Sequence, residues 1–181
     1  MDKNLITTSK FLSLVLRHKP DVIGMQLDPD GWLEINELIE NANRHGNDIS
    51  LELLHEVVAT NDKQRFALSD DGLRIRANQG HSVRQVNLNL SPMVPPNQLF
   101  HGTVAQFLPS IHANGLLKRS RNHVHLSSDR ATASKVGMRR GKPIILTILS
   151  VAMHDAGHHF FLSANQVWLT DSVPIDFLEF P

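Results

Sequence analysis

An α+β protein built from two lobes is predicted by three observations. Three stretches in the first half repeat apolar residues at helical spacing, and a hairpin signal follows them. Beyond a proline-rich stretch the pattern turns strand-rich, with helical segments interspersed rather than regularly alternating.

The first stretch places Phe11, Leu12, Val15 and Leu16 on one helical face, with Ser9 as its cap and Pro20 as its stop. A second helix is predicted over residues 35–42, where Ile35, Leu38, Ile39 and Ala42 share a face and Gly46 ends the pattern. Ser50 caps a third, whose stripe is Leu51, Leu54, Val57 and Val58. Residues 65–68 and 73–76 then flank Ser69-Asp70-Asp71-Gly72, two short runs about an Asp-Gly turn. Three helices and a hairpin in that order predict a winged-helix lobe over residues 1–90. Ser91-Pro92-Met93-Val94-Pro95-Pro96 reads as the linker to a second lobe, residues 97–181. There, short strands are expected at 98–101, 124–127, 143–149, 160–162, 167–169 and 177–180. Helical segments are expected at 104–113 and 130–136.

Composition narrows the function classes. The chain is 41% hydrophobic and 20% charged, the balance of an ordinary globular protein. Its most apolar run, residues 143–153, is shorter than a membrane span, and the N-terminus lacks an export signal, so a cytoplasmic protein is expected. With no cysteine there is no disulfide, thiolate nucleophile or Cys-based zinc site. Eighteen basic residues balance eighteen acidic ones, so any nucleic-acid contact must come from a local cluster. That balance, without an obvious exposed apolar stripe, favours a monomer.

The phosphate-loop, dinucleotide, zinc-helix and nucleophile-elbow motifs are all absent. His154 and His158 have metal-ligand spacing, but Gly157 between them argues for a polar approach to a strand instead. Four other segments carry possible chemistry. Arg17-His18-Lys19 closes the first helix, where cations complement the helix dipole or, alternatively, grip a phosphate. Ile75-Arg76-Ala77-Asn78-Gln79-Gly80-His81-Ser82 leaves the hairpin through a turn. His101-Gly102-Thr103 ends a strand before a helix, where glycine permits close approach and the helix start favours an anion. Arg139 and Arg140 end a helix before an apolar strand.

Together, in order and spacing, these segments resemble the RNA 2′-phosphotransferase family over nearly the whole chain. The segment ending Gln79-Gly80-His81-Ser82 is the most specific match. His101-Gly102-Thr103, His123-Val124-His125-Leu126-Ser127 and Val167-Trp168-Leu169-Thr170 follow in the family's order. The resemblance implies a winged-helix lobe joined to an ADP-ribosyltransferase lobe. It further implies two steps that consume NAD⁺ as co-substrate and need no metal. The internal 2′-phosphate of a tRNA-like or other RNA displaces nicotinamide, giving an ADP-ribosylated RNA phosphate. The neighbouring ribose hydroxyl then attacks phosphorus, leaving a 2′-hydroxyl on the RNA and releasing ADP-ribose cyclic phosphate. Such phosphates arise in tRNA splicing, which links the expected activity to RNA repair.

By the same resemblance the catalytic set falls on Arg17, His18, Arg76 and Arg139, with Arg140 as the alternative to Arg139 and His81 bracing the turn. His101, Gly102 and Thr103 would hold the ADP-ribose part of NAD⁺, with His125 and Ser127 across the pocket and Leu116 and Arg121 lining it. One departure stands out: the family commonly has glycine where this chain has Gln166. The lack of tyrosine, and of any glutamate between Asp155 and Asp176, argues against a protein-modifying transferase of the His-Tyr-Glu type. Two rivals remain. One is an ADP-ribosyltransferase that caps terminal phosphates of RNA or DNA. The other is a winged-helix regulator, disfavoured because the third helix carries Glu52 and Glu56 where a recognition helix would be basic.

Overall fold

The apolar stripes of the first half become the core of its fold. Leu12, Val15 and Leu16 are fully buried, as are Leu38, Ala42 and Leu54. A computed structural model describes residues 3–181, a mixed α/β chain with small sheets and six α-helices among the described residues. It divides into two units, one up to Asn89 and one from Leu90 to Pro181.

In the first unit α1 (Lys3–Val15) is followed by a 3₁₀ turn, Pro20–Ile23, which ends at Gly24 with φ 70°. Ser9 lies within α1 instead of capping it, because the helix begins six residues earlier, at Lys3. Its hydroxyl accepts a hydrogen bond from Asn61 Nδ2 at 3.3 Å. Pro20 likewise opens that 3₁₀ turn, where its missing N–H costs nothing. Strand β1 (Trp32–Glu34) leads directly into α2 (Ile35–Arg44), and α3 (Leu51–Ala59) starts at Ser50, whose hydroxyl accepts from Leu53 N at 3.2 Å. The hairpin forms as expected: β2 (Phe66–Leu68) pairs antiparallel with β3 (Arg74–Ala77). Its turn is held by Asp71, whose carboxylate accepts from Leu73 N at 3.0 Å, and by Gly72 at φ 71°. β1 adds to the other edge of β3, giving the order β1-β3-β2. Along β3 the pleat sends Ile75 into the core and leaves Arg74 and Arg76 on the other face.

The second unit uses β4 (Leu99–Thr103) as its spine. α4 (Leu108–Asn114) and β5 (Leu116–Leu117) lead to β6 (Val124–Leu126), then α5 (Arg130–Gly137). After β7 (Ile144–Ile148), α6 (Ser150–Asp155) precedes β8 (Phe161–Leu162), β9 (Trp168–Thr170), β10 (Ser172–Val173) and β11 (Leu178–Glu179). Two three-stranded sheets result, β11-β7-β4 and β6-β9-β8, with β10 pairing β5 separately. Phe100 and Ser127 exchange two backbone hydrogen bonds of 2.8 Å, tying β4 to the end of β6. Leu99, Leu146, Ile148, Met153 and Phe160 are fully buried between these layers. α6 and the two-residue strands β5 and β10 escape the sequence pattern because they are too short to show a period. No helix among the described residues is long and apolar enough to cross a membrane.

Candidate active site

In the first unit, chain reversal after α1 and after β3 brings two of the chemical segments together. Arg17 and His18 lie in the turn that closes α1. The N–H of Ser82 donates to the Arg17 carbonyl at 2.8 Å, and the Ser82 hydroxyl lies 2.9 Å from His18 Nδ1. Arg76 faces the same region from β3, stacked at 4.5 Å over the ring of Trp32, its register partner on β1. Trp32 is the residue that sequence reasoning missed. A three-residue strand shows no period, although the alternation in Gly31-Trp32-Leu33-Glu34 was its one available signal.

At the centre sits His81, 2% exposed. Desolvation, then the positive charges of Arg17, His18 and Arg76, pushes its pKa from 6.5 down to about 4. The imidazole is therefore neutral at physiological pH, beside Arg17, His18 and Arg76. Gly31 makes room for it: a Cβ there would lie 3.1 Å from His81 Nε2, and its φ of 83° also favours glycine. Asn78 braces the turn, donating from Nδ2 to the Gln64 carbonyl at 2.6 Å. Arg76 Nε, Asn78 Oδ1 and His81 Nε2 are buried without a hydrogen-bond partner among the described residues. Of these only Arg76 Nε is a certain donor; a buried donor without a partner costs about 1–3 kcal/mol, so this N–H is suited to an anion's acceptor oxygen, while the Asn78 amide oxygen can only accept.

In the second unit His101, Gly102 and Thr103 form the end of β4. His101 Nδ1 lies 3.1 Å from the His125 carbonyl, which only accepts, so Nδ1 carries the proton. Burial lowers the pKa of His101, and the neutral ring keeps an acceptor at Nε2. Gly102 is required by packing. A Cβ there would fall 1.9 Å from the Ala133 carbonyl oxygen, so α5 rests directly on the strand. The helical segment expected at 104–113 opens as a 3₁₀ turn, Ala105–Phe107, and continues directly into α4.

His125, on β6, has its Nδ1 3.4 Å from Arg121 Nη1. Desolvation, then the charges of Arg140 and Arg139, lowers the pKa of Arg121, marking a second cationic group. Arg139 and Arg140 lie in a 3₁₀ turn after α5, with the Arg140 guanidinium 5.4 Å over Phe107. Ser127 contributes its backbone to the bridge with Phe100. Leu116 is 4% exposed and paired with Val173, in the apolar core. His154, on α6, has Nδ1 3.4 Å from the His158 carbonyl. Among the described residues no group of three or more His, Asp or Glu is arranged to hold a metal ion. Gln166, in the position the family commonly gives to glycine, has φ 61°.

Comparison with known proteins agrees with this arrangement of segments. The family described as RNA 2′-phosphotransferase, Tpt1 / KptA family, matches residues 3–172. A protein of Rhodopirellula baltica named "Probable RNA 2′-phosphotransferase" is 66% identical over 180 residues, covering 99% of this chain and 98% of its own. Proteins of the same name from Hahella chejuensis and Flavobacterium johnsoniae are 56% and 54% identical. They cover 98% and 99% of this chain, and 95% and 99% of their own lengths. By this match across almost its whole length, the chain belongs to the RNA 2′-phosphotransferase family.

Proposed function

We propose that this transferase removes an internal 2′-phosphate from RNA by passing it to NAD⁺. The products are a 2′-hydroxyl, nicotinamide and ADP-ribose cyclic phosphate. The first unit is read as a winged-helix lobe that receives the RNA, and the second as an ADP-ribosyltransferase-like lobe that binds NAD⁺. The observation that carries this reading is the buried, partnerless Nε of Arg76 beside neutral His81. A buried guanidinium N–H with no partner is suited to an anion that arrives with the substrate.

In this reading Arg17 and Arg76 grip the phosphate oxygens, while His18, fixed by Ser82, hydrogen-bonds the phosphate or carries its proton. Nicotinamide leaves a cationic ring as a neutral base, so the first step asks for alignment and no general acid. Charge accumulates on the phosphate oxygens in the second step, and preorganised arginines stabilise it. Arg139 is assigned to the catalytic set in preference to Arg140, whose guanidinium is engaged on Phe107. The residues of β4 and β6 fit a dinucleotide. His101 offers a neutral acceptor to a ribose hydroxyl, and Arg121 with His125 offers cationic and hydrogen-bonding partners to a pyrophosphate. His101, Gly102, Thr103, Leu116, Arg121, His125 and Ser127 remain the proposed NAD⁺ set, Gly102 and Leu116 through their backbone.

The test is incubation with NAD⁺ and a short RNA bearing one internal 2′-phosphate, with both products followed by mass. A free 2′-hydroxyl with ADP-ribose cyclic phosphate, both greatly slowed by Arg76→Ala, supports the reading. Accumulation of ADP-ribosylated RNA would replace it with phosphate capping. Absence of NAD⁺ consumption would remove NAD⁺ from the reaction.

A further inference from the structure

A groove of about 670 Å³ runs along α1 in the first unit. Its helical wall repeats every four residues: Leu5 and Ile6, Ser9 and Lys10, Ser13 and Leu14, then Arg17 and His18. That spacing keeps all four pairs on one face. The opposite wall is the end of α3 and the loop after it, including Asn61, Lys63 and Arg65. Lys10, Arg17, Lys63 and Arg65 set four positive charges against one carboxylate, Asp62. In a chain whose formal charge is zero, this is a local excess.

Apolar and polar groups alternate with those cations. Ile6 and Leu14 are large apolar side chains left 38% and 39% exposed. Ser9, Ser13 and Asn61 supply hydrogen-bonding groups between them. Cations spaced along a groove suit the phosphates of a strand, exposed aliphatic faces suit riboses and bases, and hydroxyls and amides suit 2′-hydroxyls. From Ile6 to Val15, the last residue of α1, the helix advances about 14 Å, room for roughly four stacked nucleotides at about 3.4 Å each.

We infer that this groove is the track for the single-stranded RNA flanking the 2′-phosphate, entering at the N-terminal half of α1 and ending at Arg17 and His18. The inference rests on the proposed function for the placement of the phosphate at that end. Its own content is the path of the strand, with Lys10 and Lys63 as phosphate contacts remote from the chemistry. Recognition along it is through backbone and sugar, so the groove accepts RNAs of differing sequence.

The experiment is fluorescence anisotropy of a labelled single-stranded 12-nucleotide RNA, with no NAD⁺ present, across a salt series. The full chain is compared with Lys10→Glu/Lys63→Glu, with the milder Lys10→Gln/Lys63→Gln, and with Arg44→Glu outside the groove. Thermal melting verifies that each variant is folded. The track predicts a loss of affinity of about tenfold or more in both double variants, a log–log salt slope shallower by about 1.4, and no loss in Arg44→Glu. Equal binding by wild type and folded double variants overturns it. So does equally tight, lysine-dependent binding of polyglutamate, which would make the groove an acidic-peptide site. A salt-insensitive dimer broken by Ile6→Asp would overturn it too, making the face a contact between copies.

Turnover of a 2′-phosphorylated dinucleotide is measured separately. Turnover without lysine-dependent binding of the 12-mer sinks the track and leaves the proposed function standing. Lysine-dependent binding without turnover does the reverse.

Discussion

His18 Nδ1 and Ser82 Oγ meet at 2.9 Å across 64 residues of sequence. A second link, the Ser82 N–H to the Arg17 carbonyl, joins the same two turns. One serine thus fixes the imidazole and the backbone that carries it. Ser82→Ala removes the side-chain link and keeps the backbone one. We expect kcat for the 2′-phosphorylated RNA to fall about tenfold, by loss of orientation, while stability changes by about 1 kcal/mol or less. Ser82→Thr should restore most of the rate. An unchanged kcat in Ser82→Ala would show that His18 needs no such bracing.

Arg76 should be the most sensitive position of the first unit. Arg76→Ala is expected to lower the rate by about 10²–10³, the loss typical of one preorganised donor to a developing charge. Arg76→Lys should recover little, since an ammonium lacks the planar fork and the stacking on Trp32. Single-turnover kinetics with saturating RNA checks both.

His81 ties stability to pH. Its folded pKa, about 4, lies below the ordinary 6.5, so between those values the unfolded chain binds the proton and the folded chain does not. Stability therefore rises with pH through this window, and is lost as pH falls from about 6.5 toward 4. The contribution is about 3 kcal/mol at pH 7 relative to pH 4. Urea unfolding across this range should show that slope, and His81→Gln should flatten it by a corresponding amount.

Two backbone positions give opposite outcomes on changing size. Gly102→Ala drives a methyl to within 1.9 Å of the Ala133 carbonyl, which we expect to cost about 3 kcal/mol by forcing α5 off β4. Gln166, at φ 61°, bears the strain of a left-handed conformation. Gln166→Gly should be neutral or slightly stabilising, whereas Gln166→Val should lose on the order of 2 kcal/mol. Thermal denaturation separates the three cases.

Periodicity made the first unit largely readable. Leu12, Val15, Leu38 and Leu54 are the positions that its stripes assign to the core, and Asp71-Gly72 turns the hairpin where composition requires a turn. What stayed hidden was either too short or non-local. Trp32 lies on a strand of three residues, and its contact with Arg76 depends on a pairing 44 positions apart. In the second unit β5 and β10 have two residues each, so no window carries a period. The chemical segments were legible as motifs. Their interplay was not: nothing local in Gln79-Gly80-His81-Ser82 reveals that His81 is buried beside Arg17, His18 and Arg76.

The stacking of Arg76 on Trp32 also gives the molecule a voice of its own. There are two indoles and no phenol ring in the sequence, and each unit holds one indole: Trp32 in the first, Trp168 in the apolar core of the second. Emission from the unlabelled protein is therefore a sum of two reporters already segregated by the fold. An anion that draws the guanidinium away from Trp32 changes one component, and loosening of the other core changes the second. Replacing either tryptophan by phenylalanine leaves a single lamp in the remaining unit, by which ligand arrival and unfolding can be watched separately.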